Sequence, residues 1–170
     1  MKIFALLVFV SFAGLAQNTY NLIPLPKEVT PSTGQFNVKK STTIGFSHAD
    51  FAPVASLLQE YLQGASGYPI SAKSAKSAVI QFSQNNTLGE EAYTLSVNSS
   101  KINIQAKTGK GAFYALQTLL QLMPAQVYAG TKIQETISIS NVQIKDEPRF
   151  SYRGLMLDVG HCEIRDDHRQ

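Results

Sequence analysis

The sequence contains a single cysteine, Cys162, and no tryptophan. One cysteine cannot form a disulfide within the chain, so the folded state must be held together by its apolar core. Charged residues make up 16% of the 170 residues, fewer than the roughly 25% usual in soluble domains. The formal net charge of +3 is too small and too dispersed to predict nucleic-acid binding.

The N-terminal apolar run, which starts at Ile3, is shorter than the roughly 20 residues that a transmembrane helix needs. It follows Lys2 and leads into small residues ending at Ala16, a layout typical of a secretory signal peptide. We therefore predict that residues 1–16 are removed on export to the periplasm or the extracellular space, with no membrane attachment afterwards. A buried N-terminal strand or helix fits less well, because no polar residue precedes Ser11 in the run.

Several catalytic signatures are missing from the sequence. No G-x-S-x-G sequence is present, so nothing indicates a serine nucleophile. The glycine-rich stretch TGKGAF, residues 108–113, opens a predicted helix but lacks the Gly-Lys-Ser/Thr triplet of a phosphate-binding loop. We interpret Gly109 and Gly111 as residues that let the chain turn and pack the helix start on a sheet, and we predict no cofactor.

The C-terminal stretch HCEIRDDHRQ, residues 161–170, holds side chains that bind metals in other proteins. Its His161 and Cys162 are adjacent and would point in different directions, and no second pair with zinc-finger spacing occurs. The neighbours of Asp166 and Asp167 are not apolar enough to raise a carboxyl pKa, as an acid catalyst requires. We predict a solvated terminus and no metal site.

Two stretches have helical spacing. The first is expected to begin with Asp50 as its N-cap and to end at Gly64 or Gly67. The second begins near Gly109 and ends at Pro124, and its apolar stripe is expected to cover a sheet. That stripe consists of Phe113, Leu116, Leu120 and Met123.

Short strand-like runs lie around these helices. Residues 92–97 and 101–106 alternate apolar and polar side chains and are joined by a short turn, which predicts an antiparallel hairpin. Residues 34–38 and 42–46 are predicted as two strands with a turn between them. The stretch 71–78, SAKSAKSA, is interpreted as an exposed connection.

The order of these elements predicts an α+β fold: an antiparallel sheet with two helices on one face, over residues 17–147. A linker is expected near Pro148, where four residues DEPR interrupt the strand pattern. The last 20 or so residues are predicted to belong to a different unit.

Four stretches carry a resemblance to a known family. They are NLIPLPKEVTPSTGQFNV at 21–38, EAYTLSV at 91–97, GAFYALQTLLQL at 111–122 and DEPRFSYRGLMLDV at 146–159. In this order they closely resemble the N-terminal part of secreted β-N-acetylhexosaminidases of glycoside hydrolase family 20. The resemblance implies a small accessory domain packed against a catalytic (β/α)₈ barrel, of which residues 148–170 would contain the linker and the first strand.

The resemblance also implies where the chemistry lies. In the family, an Asp-Glu pair in an H-x-G-G-D-E sequence acts by substrate-assisted retention, and that sequence is absent here, so we predict no catalytic residue in this chain. Arg153 matches the family's arginine that hydrogen-bonds hydroxyls of a terminal N-acetylhexosamine, a role that suits the fixed donors of a guanidinium. Asp158 matches an acidic residue at a strand end in the family, and we interpret it as a group that supports the site. The alternative for Arg153 is an ion pair with Asp146, Glu147 or Asp158.

The resemblance stops after LMLDVG, where HCEIRDDHRQ replaces an Arg-His-Phe sequence of the family. We interpret this change as a shifted reading frame or a premature stop. The predicted function is therefore the N-terminal part of an exported hexosaminidase that acts on N-acetylhexosamine-containing glycans, with the chain itself inactive. Two alternatives stay open: a stand-alone exported carbohydrate-binding or protein-interaction module, and a non-functional fragment prone to aggregate.

Overall fold

The computed structural model describes residues 20–150 and 152–156. Within them the helices are α1 (Ala52–Ser66), α2 (Gly109–Gln121) and the short α3 (Ala125–Tyr128). The strands are β1 (Glu28–Asn37), β2 (Ile44–Phe46), β3 (Ala72–Ser74), β4 (Ile80–Gln84), β5 (Tyr93–Val97), β6 (Ile102–Ala106) and β7 (Ser138–Asp146). All seven strands form one sheet in the order β1-β7-β5-β6-β4-β2-β3.

The sheet is mixed, so the prediction of an antiparallel sheet is wrong. β2 runs parallel to β3 and β4, and β4 runs parallel to β6. The other pairs, β5 with β6, β5 with β7 and β1 with β7, are antiparallel. α1 connects β2 to β3 and is long enough to return the chain to the starting end of the sheet, which a parallel pair requires.

The runs predicted at residues 34–38 and 42–46 both contain strand residues, but they do not pair with each other. β1 lies at one edge of the sheet beside β7, whereas β2 lies between β3 and β4. β1 contains Pro31, which lies opposite Val142 at the start of an irregularity in the register, and proline within a sheet is confined to edge strands and bulges. The stretch 71–78 is more than a connection, since it contains the other edge strand, β3.

The predicted hairpin is confirmed by β5 and β6, which pair from Tyr93 opposite Ala106 to Val97 opposite Ile102. Their alternation places every second side chain in the core, where Leu95 and the other inward residues are at most 2% exposed. The intervening side chains are only half-buried. A two-residue period in the sequence therefore set both the pairing and the face of this hairpin.

The predicted C-terminal end of α1 is confirmed, but the predicted N-cap is wrong. A 3₁₀ turn precedes it, and His48 Nδ1 accepts a hydrogen bond from Asp50 N at 3.3 Å, so His48 and not Asp50 caps this start. Pro53 lies in the first turn, where its missing N–H is harmless. The helix ends at Gly67, whose φ of 69° suits a residue without a Cβ.

α2 buries most of the predicted stripe against the sheet, including Met123 just after the helix, with one exception near its start. Leu116 and Leu120 are buried, but Phe113 is 41% exposed, so its place in the buried stripe is wrong. The inward face instead carries small residues near the helix start, including Gly111. A Cβ on Gly111 would lie 2.5 Å from the Ala92 carbonyl oxygen, so only glycine lets α2 approach β5 and β6 this closely.

α1 and α2 contact each other and the sheet, which confirms two helices on one face. Large side chains from both layers are completely buried between them, among them Leu58, Leu116, Phe82 and Ile104. No helix in the described part of the chain is long and apolar enough to cross a membrane.

Candidate functional site around Arg153

Arg153, the residue that the resemblance marks for sugar binding, makes three hydrogen bonds, and two of them join it to the α+β domain. Its Nη2 donates to Glu91 Oε2 at 2.5 Å and to Tyr114 Oη at 3.4 Å, and its Nη1 donates to the Phe150 carbonyl oxygen at 2.8 Å. The side chains of Arg153 and Glu91 are 42% and 29% exposed. Three of the five N–H donors of a guanidinium are thus used within the chain.

The ion pair shifts the protonation equilibrium of the carboxylate. The hydrogen bond from Arg153 lowers the pKa of Glu91 below its ordinary value, and the positive charge of Lys110 lowers it further. The same hydrogen bond raises the pKa of Arg153, which is protonated at any physiological pH in either case. Because both partners are partly exposed, solvent screens the pair and limits its strength.

The start of α2 places Glu91 beside Tyr114. Thr108 caps this helix, since its hydroxyl oxygen accepts from Lys110 N at 3.2 Å. The same hydroxyl donates to the carbonyl oxygen of Glu90 at 2.5 Å, which holds the Glu90–Glu91 turn against the helix. The close approach at Gly111 fixes the distance between this turn and the first residues of the helix. The hydrogen bonds of the helix cap therefore position Glu91, which accepts a hydrogen bond from Arg153.

A shallow groove of about 410 Å³ lies next to Tyr114, between the starts of α1 and α2. Its walls are mainly apolar, and its charged residues are one acid and one base. The residues that line it are Asp50, Pro53, Val54, Gly109, Lys110, Phe113 and Tyr114. Phe113, which sequence periodicity assigned to the core, contributes an exposed ring here.

The predicted ion-pair partners of Arg153 make other contacts. Glu147 forms an ion pair with Lys27, and Asp146 accepts hydrogen bonds from Lys27 N at 3.1 Å and from the Tyr93 hydroxyl at 3.3 Å. These two adjacent acids therefore hold the end of β7 in place and do not contact Arg153 in the described structure. The structure brings Glu91 to Arg153 instead, across 62 positions of sequence that carry no local signal of the contact.

Asp158, the second predicted site residue, lies outside the described residues, as do the His161 and Cys162 of the C-terminal stretch. The predicted first strand of the barrel lies partly outside the described residues, which do not include 157–159. Its described part, residues 152–156, forms no strand. Among the residues that the structure does describe, no three His, Cys, Asp or Glu side chains are grouped so that they could hold a metal ion.

The α+β domain beside Arg153 matches a known protein family. The sequence profile described as "Glycosyl hydrolase family 20, domain 2" matches residues 19–147, which cover nearly the whole described domain. The chain belongs to glycosyl hydrolase family 20. The match ends one residue before Pro148, where the sequence predicts a linker.

Curated relatives in family 20 are much longer than this chain. It is 38% identical over 144 residues to a β-hexosaminidase from Porphyromonas gingivalis, an alignment that covers 82% of this chain and 18% of the relative. It is 31% identical over 140 residues to a β-hexosaminidase from Vibrio furnissii, covering 82% of this chain and 21% of the relative. The chain thus spans about a fifth of the length of these relatives.

Solved structures of family 20 share the fold. An N-acetyl-β-hexosaminidase from Streptomyces plicatus superimposes with a TM-score of 0.70 at 25% identity, covering 75% of this chain and 26% of that one. A chitobiase from Flavobacterium johnsoniae superimposes with a TM-score of 0.65 at 29% identity, covering 82% of this chain and 22% of that one. The α+β architecture is therefore that of a family 20 domain.

Proposed function

We propose that this chain supplies the accessory domain, residues 17–147, and the first barrel strand, within residues 148–170, of an exported β-N-acetylhexosaminidase. The observation that carries the proposal is the match of the family 20 domain 2 profile to residues 19–147. The likeness to a β-hexosaminidase from Porphyromonas gingivalis, at 38% identity, supports the same assignment. The parent enzyme removes terminal non-reducing N-acetylhexosamine from glycans.

Within this proposal, Arg153 is a sugar-binding residue of the parent enzyme. Its planar guanidinium presents donors in a fixed fork, so it can address two neighbouring hydroxyls of a sugar ring. The catalytic Asp-Glu pair of the family is not in this sequence, so the chain alone can neither protonate a leaving oxygen nor orient the acetamido group of the substrate. We therefore propose that the chain by itself is inactive.

The domain has a supporting role in this proposal. The segment after β7 exposes Phe150, Tyr152, Leu155 and Met156, with 72% to 93% of each residue accessible to solvent. Contiguous exposed apolar side chains are typical of surfaces that another domain covers. The remaining strands of a barrel packed on this segment would remove these side chains from water. The accessory domain would support the first strand through the contacts of Glu91 and Tyr114 with Arg153.

Two activity measurements test the proposal together. The purified chain is expected to release no 4-nitrophenol from 4-nitrophenyl N-acetyl-β-D-glucosaminide. A chimera in which residues 20–147 replace the matching segment of the Porphyromonas gingivalis β-hexosaminidase is expected to keep the hydrolytic activity of its parent. A chimera that is folded but inactive would count against the accessory role. Hydrolysis by the chain alone that is lost in Arg153→Ala would overturn the proposed inactivity.

Export is the remaining part of the proposal, and it rests on the layout of residues 1–16. Expression in a Gram-negative host should yield a chain that begins near Gln17 in the periplasmic fraction. Intact-mass measurement of that fraction is the check, and a chain retained in the cytoplasm with Met1 in place would contradict it.

A further inference from the structure

The segment that follows β7 is exposed, yet it is joined to the domain. Residues 152–156 form no regular secondary structure, and Leu155 and Met156 are more than 90% exposed. Within the described residues, the side-chain hydrogen bonds that join this segment to the domain all start from the guanidinium of Arg153. One side chain of the described residues thus makes all of these contacts.

The acceptors of that guanidinium are held firmly by the domain. Glu91 lies in a turn closed by a hydrogen bond from Ala92 N to the Gly89 carbonyl oxygen at 3.2 Å, and Thr108 fixes the same turn to α2. Tyr114 is half-buried in the first turns of α2. Neither acceptor can follow the segment if it moves, so a displacement of the segment must break both contacts.

We propose that Glu91 and Tyr114 form a clamp that binds Arg153 and restrains the polypeptide leaving β7 against the start of α2. The clamp consists of one ion pair and one hydrogen bond from the same Nη2 atom, and the Nη1 bond to the Phe150 carbonyl oxygen closes the backbone turn behind it. It rests on these contacts alone and does not require that Arg153 bind sugar. It sets the direction in which the chain continues from the domain.

The clamp makes Arg153 differ from Arg149, which lies in the same exposed segment. Arg149 is exposed, and no ion pair among the described residues involves it. Trypsin must take an arginine side chain into its specificity pocket, where an aspartate binds it. The protease and Glu91 therefore compete for the same guanidinium at Arg153, whereas no acid among the described residues pairs with Arg149.

Limited trypsin digestion of the whole chain tests the clamp. The initial rates of the two cleavages are measured by mass spectrometry, from the fragments that end at Arg149 and at Arg153. In Glu91→Gln, the rate of cleavage after Arg153 is expected to rise by about 1.4- to 5-fold, the range given by the usual strength of a partly exposed ion pair. Cleavage after Arg149 should stay unchanged, because its side chain is not part of the clamp.

Two further variants separate the clamp from a general effect on the turn. Glu90→Gln removes a neighbouring charge that makes no ion pair in the described structure and is expected to leave both rates unchanged. Tyr114→Phe removes only the 3.4 Å hydrogen bond and should raise cleavage after Arg153 less than Glu91→Gln does. The proposal is overturned if Glu91→Gln cleaves after Arg153 at the wild-type rate, or if Glu90→Gln accelerates it equally.

Discussion

Tyr93 shows how one buried side chain fastens the end of the sheet. Its hydroxyl shares a hydrogen bond of 2.6 Å with Thr118 Oγ1 and lies 3.3 Å from Asp146 Oδ2. Burial raises the pKa of the Tyr93 phenol far above its ordinary value, so the group stays protonated and donates to the carboxylate. One residue of β5 thereby connects α2 with the last residue of β7, from which the linker continues.

Glu91 gives a prediction at the same scale. Since Arg153 stabilises the carboxylate, the pKa of Glu91 lies below its ordinary value of 4.5, and the stabilisation is complete above that value. It is lost as the pH falls through the lowered pKa of Glu91. A carbon-13 NMR titration of the Glu91 carboxyl is expected to show a midpoint that rises toward 4.5 in Arg153→Ala.

The control for this titration is Lys110→Ala. The charge of Lys110 is the weakest of the causes that lower the pKa of Glu91, so its loss should raise the midpoint less than the loss of Arg153 does. Equal midpoints in the wild-type chain and in Arg153→Ala would show that the ion pair does not form in solution.

At the scale of elements, the contact of α2 with the sheet is decided at its first turn. The inward residues there are small, and they let the helix backbone approach the end of β5 and β6. This approach turns Phe113 outward, where its ring lines the groove beside Tyr114. Helical periodicity alone predicts that a large apolar residue in the stripe is buried, because it takes no account of the distance between helix and sheet.

Two glycine-to-alanine substitutions test this account. In Gly111→Ala the new methyl would lie 2.5 Å from the Ala92 carbonyl oxygen, so the free energy of unfolding is expected to fall by about 1–3 kcal/mol. In Gly64→Ala, on the exposed side of α1, the new methyl would meet no atom within 4 Å apart from its adjacent residues and the backbone of its own helix. The better helix propensity of alanine should there raise the free energy of unfolding by about 0.5–1 kcal/mol.

Urea denaturation followed by circular dichroism measures both changes. The matched pair isolates packing, because the chemical change is identical and both glycines lie in helices. Effects of the same sign in the two variants would contradict the close approach of α2 to the sheet.

At the scale of the whole molecule, a complete core coexists with an exposed apolar segment. Thirty-one apolar residues between Leu22 and Ile144 are buried, so the domain has a core of its own. Past residue 149, in contrast, Leu155 and Met156 are 91% and 93% exposed. The chain spans 26% or less of the family 20 structures with which it was superimposed above.

The double substitution Leu155→Ser and Met156→Ser is expected to reduce self-association of the chain, as measured by light scattering over a concentration series. Because neither side chain is part of the core, the urea midpoint should not change. Ile23→Ser is the control, since Ile23 is 80% exposed on the domain itself and is expected to leave scattering almost unaltered. A change in the urea midpoint of the double variant would mean that these residues pack against the domain.

Much of the local structure was predictable from the sequence, and little of the candidate site was. The hairpin of β5 and β6 and the end of α1 at Gly67 depend on residues close in sequence, so periodicity and glycine placement suffice. The resemblance indicated Arg153, but its acceptor Glu91 lies 62 positions away in a turn. No short-range pattern encodes such a pair, because it forms only after α2 has packed on the sheet.

The sequence by itself determined the family, the type and approximate position of most elements, and the absence of any intramolecular disulfide. These properties follow from local periodicity, from motifs in a fixed order and from the single cysteine. Only the tertiary structure decided the mixed sheet with its order β1-β7-β5-β6-β4-β2-β3, the outward position of Phe113 and the partner of Arg153. Each of these depends on how closely surfaces distant in sequence approach one another, a distance that side-chain volume and burial set in the folded state.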